Sequence, residues 1–433
     1  MQEIWLKSLS IEGLHKGIDL HTEFHPGINV IYGKNGVGKT TMLHMLSNFG
    51  NMDFERFKNV DFESFRLKIS NGTTFYLAKV KGDQLSLSIN DRNVKIGPSH
   101  EISKPHQEIF AKTFGKRPLY VPAFRSVLQK MDERHGDEVR LINTRSHSYW
   151  REKAFSQYRR EGSNLKTQQC RAWFGEFTPE IHYPSVEEAE SDLEQYWLRA
   201  NSASRHEEAK LVTEATNKIL AGLLGSEPEE VKSVIDSIMV EAPEGARLSS
   251  TLARNFVHSF QNDNGVVSSS VSAEPKDLAE IYVRALIEAK HRSRGMFSRF
   301  NSFVESMDSF LDPDRSLEIG AQYSGSPSLK ISFNYDHKRS YGVSGLSSGE
   351  RQLFTLLYAS WRAKGESTFM LIDEPEISLH IDWQRQILPE MYKQGQQQVI
   401  ACTHSPEVAA DLDQGYQVFD RFSRNRADGG INK

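Results

Sequence analysis

The chain has 433 residues, with 53 Lys and Arg against 57 Asp and Glu, a formal net charge of −4. This length predicts two or three domains, or one domain with a large insertion, and the near balance of charge excludes a uniformly basic nucleic-acid binder while leaving room for a local basic face. Hydrophobic residues at 38% and aromatics at 10% exclude a mostly disordered chain. No apolar run approaches the roughly 18 residues of a membrane span. The N-terminus reads as lacking a secretory leader, and two isolated cysteines, Cys170 and Cys402, fit a reducing, cytoplasmic setting.

In chain order, Ile4, Leu6, Leu9 and Ile11, then Ile18, Leu20 and Phe24, alternate as in short half-buried strands, with turns at Gly13 and Gly17. Ile28 to Tyr32 is a short apolar run stopped by Gly33 and predicts a buried parallel strand. Thr40 to Asn48 has helical spacing in Met42, Leu43 and Leu46, ended by Gly50. Stretches 64–69, 73–80 and 85–89 predict a small antiparallel sheet with turns at Asn71-Gly72 and Gly82-Asp83. A strand is expected over 118–123. From about 126 to 315 the strand signal nearly disappears, and helical periodicity marks 186–200, 206–224, 228–240 and 278–291. Gly225, Pro243-Glu244-Gly245 and the serine-rich 266–272 punctuate them. Strands return at 317–319 and 329–333. The expectation is an α/β domain in two halves, 1–125 and 316–433, split by a helical insertion over 126–315.

Between the strand ending at Tyr32 and the following helix stands Gly33-Lys34-Asn35-Gly36-Val37-Gly38-Lys39-Thr40, a full match to G-x-x-x-x-G-K-[ST]. Its glycines let successive N–H groups point at phosphate oxygens, and the helix N-terminus adds the positive end of its dipole. Lys39 is expected to reach the β- and γ-phosphates, with the Thr40 hydroxyl on Mg²⁺. Thr41 closes the binding stretch.

A second set lies near the C-terminus. Phe369-Met370-Leu371-Ile372 runs into Asp373-Glu374, so a buried strand would deliver Asp373 to the Mg²⁺ shell and Glu374 to an attacking water. Leu346-Ser347-Ser348-Gly349-Glu350 opens an apparent helix, both as an anion site at Ser347 and Gly349 and as a capping box. Val399 to Thr403 is another buried strand, ending at His404.

The order GKNGVGKT, LSSGERQ, FMLIDEP and THS resembles that of an ABC-type ATPase, a P-loop NTPase head, with Walker A, signature, Walker B and H-loop. Within that class the chain is similar to the RecF, SMC and OLD-like group, whose OLD-type branch includes ATP-binding proteins of bacterial anti-phage defence. Ile372 to His380, Phe303 to Leu311 and Tyr120-Val121-Pro122-Ala123-Phe124-Arg125 carry that likeness. The resemblance implies that Gly33 to Thr41 bind ATP, that Thr40 and Asp373 hold magnesium, and that Glu374 is the catalytic carboxylate with His404 at the γ-phosphate. It implies that Ser347 and Gly349 contact ATP held by a second subunit, so that a homodimer or higher oligomer sandwiches nucleotide, with 376–380 as a loop crossing the interface. Gln107 and Gln129 flank the expected Q-loop without its context. Arg125 is open between a place near the nucleotide and a surface ion pair, and His15 and Lys16 are candidates beside the adenine.

Leu346 stands 306 positions after Thr40, a gap longer than a transporter ATPase of this type has and shorter than the heptad-filled arms of SMC proteins. The 29 residues after His404 read as too few for the nuclease domain of OLD proteins, so the effector, a nuclease for example, is expected on a separate protein. A nucleic-acid face is expected at 145–171, where Arg145, Arg151, Lys153, Arg159, Arg160, Lys166 and Arg171 interleave with aromatics, and at 290–299; partner-protein contact is the equal alternative. The resulting expectation is a Mg²⁺-dependent ATPase acting as a nucleotide-gated switch in an anti-phage system, with no membrane partner. The alternative is a RecF-like repair or recombination ATPase that clamps DNA.

Overall fold

The structure is a computed structural model that describes residues 4–80, 84–97, 101–115, 118–125, 127–128, 165–223, 275–321, 327–395, 397–412, 416–418 and 422–423. The first two strands, β1 (Leu6–Leu14) and β2 (Ile18–Glu23), follow their alternation: Leu6, Leu9, Ile11 and Leu20 face inward, Lys7, Glu12, His21 and Glu23 outward. The third, β3 (Ile28–Tyr32), has the predicted limits and is followed by the Gly33 loop and helix α1 (Lys39–Gly50). Next come β4 (Ser64–Ile69), β5 (Thr74–Val80), β6 (Gln84–Ile89) and β7 (Arg92–Val94). With β1, β2 and the later β15 (Phe422–Ser423) they make a seven-stranded antiparallel sheet, ordered β15-β2-β1-β4-β5-β6-β7. Strand β7 was not foreseen. Its turn is Asn90-Asp91, both at positive φ (50° and 61°), the twist a two-residue hairpin requires without the glycine that usually announces it.

Helix α2 (Lys104–Phe114) leads to β8 (Leu119–Val121). With β12 (Phe369–Asp373), β13 (Gln398–Thr403) and β14 (Tyr416–Val418), β8 and β3 form a five-stranded sheet ordered β14-β3-β13-β12-β8, each described pairing parallel. Every residue of β12 and β13 is buried, as expected of strands covered on both faces. Because the strands are parallel, the residues after β3, β12 and β13 come out at one edge. A third sheet, β11-β10-β9, is built from β9 (Arg315–Ala321), β10 (Pro327–Phe333) and β11 (Asp336–Gly342).

The chain divides into two compact units. One comprises Met1–Glu190, Phe303–Gly320 and Ser328–Lys433, the other Ser191–Ser302 and Ala321–Pro327. Helix α3 (Val186–Leu223) is continuous where the periodicity suggests two helices, because residues 201–205 contain neither glycine nor proline to break it. Helix α4 (Pro275–Asp308) extends well beyond 278–291. Within the second unit these helices run antiparallel. Tyr196 donates to the Met296 carbonyl, Trp197 lies by Phe297, Ser204 donates to Ser293, and Glu207 pairs with Arg292. In the first unit α5 (Ser348–Ala363) packs on α6 (Ile381–Gly395), where the Ser360 hydroxyl donates to the Met391 carbonyl. The expected turn at 82–83, Leu224 and Gly225, the helix at 228–240, Pro243-Glu244-Gly245 and the serine-rich 266–272 lie outside the described residues.

Candidate nucleotide site

The loop after β3 ends at Gly38, which sits at φ 96° as the N-cap of α1. A Cβ there would stand 3.0 Å from a Leu14 methyl, so only glycine fits the turn and leaves the first N–H groups of α1 facing outward. Lys34, Asn35 and Gly36 line the exposed rim and Val37 is buried. The Lys39 ammonium is buried and donates to the carbonyls of Gly33 (2.6 Å) and Lys34 (3.1 Å), with His404 Nε2 3.1 Å away. Burial pushes it below the ordinary lysine value, opposed by Cys402 and by the carboxylates of Asp373, Glu374 and Glu376. Thr41 shares a hydrogen bond with His15 (3.2 Å) at the β1–β2 turn, while Lys16 pairs with Asp61.

The end of β12 supplies the carboxylates. Asp373 Oδ2 accepts from the Thr40 hydroxyl at 2.9 Å, and Oδ1 is buried with no hydrogen-bond partner. Burial lifts this carboxyl to about 6, the Thr40 bond pulling down and neighbouring Glu374 pushing up. Glu374 follows at φ 49°, its N–H still bound to the Cys402 carbonyl (2.8 Å). Its carboxylate lies 3.4 Å from His404 Nε2. A non-glycine residue in this region costs about 1–3 kcal/mol and persists only where its surroundings hold it.

Two holders are visible. Arg125 is not in a surface ion pair: it is fully buried and donates to the main-chain carbonyls of Pro122, Asp373, Glu374, Pro375 and Ile377, next to the carboxylates of the site. The physical reason is its place just past an apolar strand, where water is absent and the loop after Asp373 offers carbonyls. Burial pushes the guanidinium below its usual value, with Tyr183, Glu376, Asp373 and Glu374 opposing. The second holder is Glu376. One carboxylate oxygen accepts from the Thr403 hydroxyl (2.7 Å) and from the N–H groups of His404 (2.8 Å) and Ser405 (3.1 Å). Sequence reasoning gave Glu376 only as part of the 376–380 loop; its carboxylate also fixes the His404 backbone of its own chain.

The bonds that gather Lys39, Thr40, Asp373, Glu374 and His404 do not extend to Ser347 and Gly349. Ser347 caps α5 in the predicted capping box, its hydroxyl accepting from the Glu350 N–H and its N–H donating to the Glu350 carboxylate (2.8 Å). Burial would raise that carboxyl, but the Ser347 bonds and the Arg315 guanidinium (2.9 Å) hold it below its ordinary value. A Cβ on Gly349 would lie 3.0 Å from the Ser378 carbonyl of the same chain. Gln107 bonds the carbonyl of Ile102, just ahead of its own helix, and Gln129 lies outside the described residues. Of the basic stretches, 145–164 is outside the described residues, Arg171 pairs with Asp53, and Arg292 pairs with Glu207 and Glu288.

Residues 28–411 match the family described as "AAA domain, putative AbiEii toxin, Type IV TA system". The chain belongs to this AAA-domain family. With its glycine-rich loop between β3 and α1 and its acidic β12, it is a P-loop ATPase of the AAA type. Three solved Smc heads align over most of its length. The Pyrococcus furiosus head with extended coiled coil, bound to the C-terminal domain of ScpA, has TM-score 0.38 and 13% identity, covering 94% of this chain and 91% of that one. The Pyrococcus yayanosii head with coiled coil and joint has TM-score 0.35 and 14% identity, covering 96% and 95%. An Smc head bound to the C-winged helix domain of ScpA has TM-score 0.40 and 12% identity, covering 94% and 92%. No curated protein matches the sequence.

P-loop ATPases of this kind use magnesium with their nucleotide, and the residues fit that ion. The orphaned Asp373 oxygen and the Thr40 hydroxyl are hard oxygen donors side by side. Among the described residues no group of three or more His, Cys, Asp or Glu could hold a metal unaided. Magnesium beside a nucleotide is commonly bound through one or two protein groups plus phosphate. Among the same residues no helix is long and apolar enough to cross a membrane.

Proposed function

We propose that this chain binds and hydrolyses ATP with Mg²⁺, and that two copies sandwich the nucleotide to switch a separate effector, such as a nuclease, in an anti-phage defence system. The observation that supports it best is the convergence of Lys39, Thr40, Asp373, Glu374 and His404 at one edge of the parallel sheet, while Ser347 and Gly349 stand apart on α5. Lys39 and the α1 N-terminus hold the β- and γ-phosphates. Thr40 and Asp373 would hold Mg²⁺, which would neutralise phosphate charge. Glu374 takes a proton from the water that attacks the γ-phosphorus, and His404 donates to a γ-phosphate oxygen as the bond to the β-γ bridging oxygen breaks. The description of the family names a toxin and a toxin–antitoxin system, which agrees with a switch over a harmful activity.

Glu374→Gln keeps shape and loses the basic oxygen, so it should bind ATP and hydrolyse it about 10²–10⁴-fold more slowly. Wild-type turnover in that variant would remove Glu374 from its role. The shared site is tested by mixing. Gly349 is a poor probe, since any side chain there meets Ser378 of its own chain. Ser347→Asp is better, because Asp still caps a helix while its charge repels the partner's γ-phosphate. Ser347→Asp and Lys39→Ala should each be inactive alone. Their heterodimer has one intact site and should recover up to about half the activity per dimer. No recovery, with subunit exchange confirmed, would exclude a sandwiched site.

A further inference from the structure

The turn after β12 holds the catalytic glutamate in an uncommon conformation, and one buried side chain reaches most of its carbonyls. Arg125 Nη1 donates to Glu374 O (2.9 Å) and, more distantly, to Asp373 O and Pro122 O (both 3.4 Å). Nη2 donates to Pro375 O (2.9 Å) and Ile377 O (3.1 Å). These hydrogen bonds all go to main-chain carbonyls. A buried arginine that served packing alone would be expected to share its charge with a carboxylate; this one applies both ends of a rigid planar fork to a single turn. Within that turn Glu374 has φ 49° and Ser378 φ 65°, so the segment lies outside the conformations these residues favour. The nucleotide-binding groups Lys39 and Thr40 belong to another element, α1.

We propose that Arg125 is a positioning residue for ATP hydrolysis: by gripping the carbonyls that follow Asp373 it sets where the Glu374 carboxylate stands relative to His404. This rests on Glu374 being the group that takes the proton from water. Releasing the turn lets Glu374 relax toward the common backbone regions and carries its carboxylate away, and a displacement near 1 Å at a reacting group is enough to cost about a hundredfold in rate. Lysine at this place keeps the charge and loses the fork: a single ammonium cannot span carbonyls on both sides of the turn.

The test uses the full chain with Arg125→Lys, Glu374→Gln and the double variant, measuring ATP affinity by calorimetry, kcat by phosphate release, and thermal unfolding. Arg125→Lys is expected to fold, to bind ATP within about threefold of wild type, and to lose at least about thirtyfold in kcat. The double variant should hydrolyse no more than about threefold slower than Glu374→Gln, because the positioned group is already gone. Three results would overturn the proposal: Arg125→Lys turning over like wild type while Glu374→Gln does not, losses that multiply in the double variant, or failure of the charge-retaining Arg125→Lys to fold. The underlying reading fails separately, through wild-type turnover in Glu374→Gln, whatever Arg125 does.

Discussion

The two ends of helix α1 lie eleven residues apart and live by different rules. At its N-terminus, Lys39 and Thr40 sit among Asp373, Glu374 and His404, in a cluster where one carboxylate oxygen is buried without a partner and where burial displaces the ionisation of both Lys39 and Asp373. At its C-terminus, Phe49 is fully buried among the rings of Phe54, Phe65, Phe75, Phe110 and Phe114, at centroid distances of 5.0–6.0 Å. One end keeps polar groups poised at a cost in stability, and the other recovers stability through packing. Damage at the first should therefore change rates and binding, and damage at the second should change only whether the chain folds.

The sharpest way to break this division is Phe49→Ala. It should cost about 3–5 kcal/mol of unfolding free energy in a denaturant titration, yet leave ATP affinity of the folded fraction within about threefold. A large loss of affinity would mean that the two ends are coupled through the helix. Lys39→Ala is the mirror experiment: ATP affinity should fall at least about a hundredfold, near 3 kcal/mol, with the unfolding midpoint almost unmoved. Unchanged affinity by calorimetry would count against the phosphate cradle.

His44 lies between the ends. It is buried against the Tyr120 hydroxyl (2.8 Å), and burial pushes it down to about 3 from 6.5. As pH falls below 6.5 the unfolded chain takes up this proton first, so stability present above pH 6.5 is lost progressively toward pH 3, by about 1.4 kcal/mol per unit. His44→Gln should accordingly lose about 1.4 kcal/mol less than wild type between pH 7.5 and 5.5 in urea titrations; identical pH slopes would exclude His44 as the source. The smallest effect concerns α5: Ser347→Ala removes the cap and should cost about 1 kcal/mol, whereas Ser347→Asp should cost almost none. Equal losses in the two would show that the cap is not what matters at Ser347.

The N-terminal end of α1 was legible in the sequence because its chemistry is contiguous. Gly33 to Thr40 is one unbroken segment, and Asp373-Glu374 and His404 each end a short apolar run that reads as a buried strand. The capping box was readable for the same reason, since Ser347 and Glu350 are three residues apart. The phenylalanine cluster was not, because its rings come from α1, the 3₁₀ turn at Phe54–Asn59, β4, β5 and α2, and helix α2 itself carries no apolar stripe strong enough to announce it. The contacts of Arg125 and Glu376 were not legible for a different reason. Each acts on a segment distant in sequence, Arg125 on a turn about 250 residues away, and no local pattern records that. A signal did exist for Arg125: a lone cation directly after a strand, without an acidic neighbour, is placed to turn inward.

The position of β3 between β14 and β13 has a consequence for how the protein is made. Asn29 on this strand bonds to Val399, 370 residues further along the chain. At about 5–20 residues per second a ribosome needs roughly 20–70 s to deliver that partner. Throughout that interval the strand that carries the phosphate loop has both edges open, beside an antiparallel sheet that can already close. Parallel pairing over such a separation is slow and exposes the chain to aggregation, so the nascent chain is a natural client for chaperones until β13 is made.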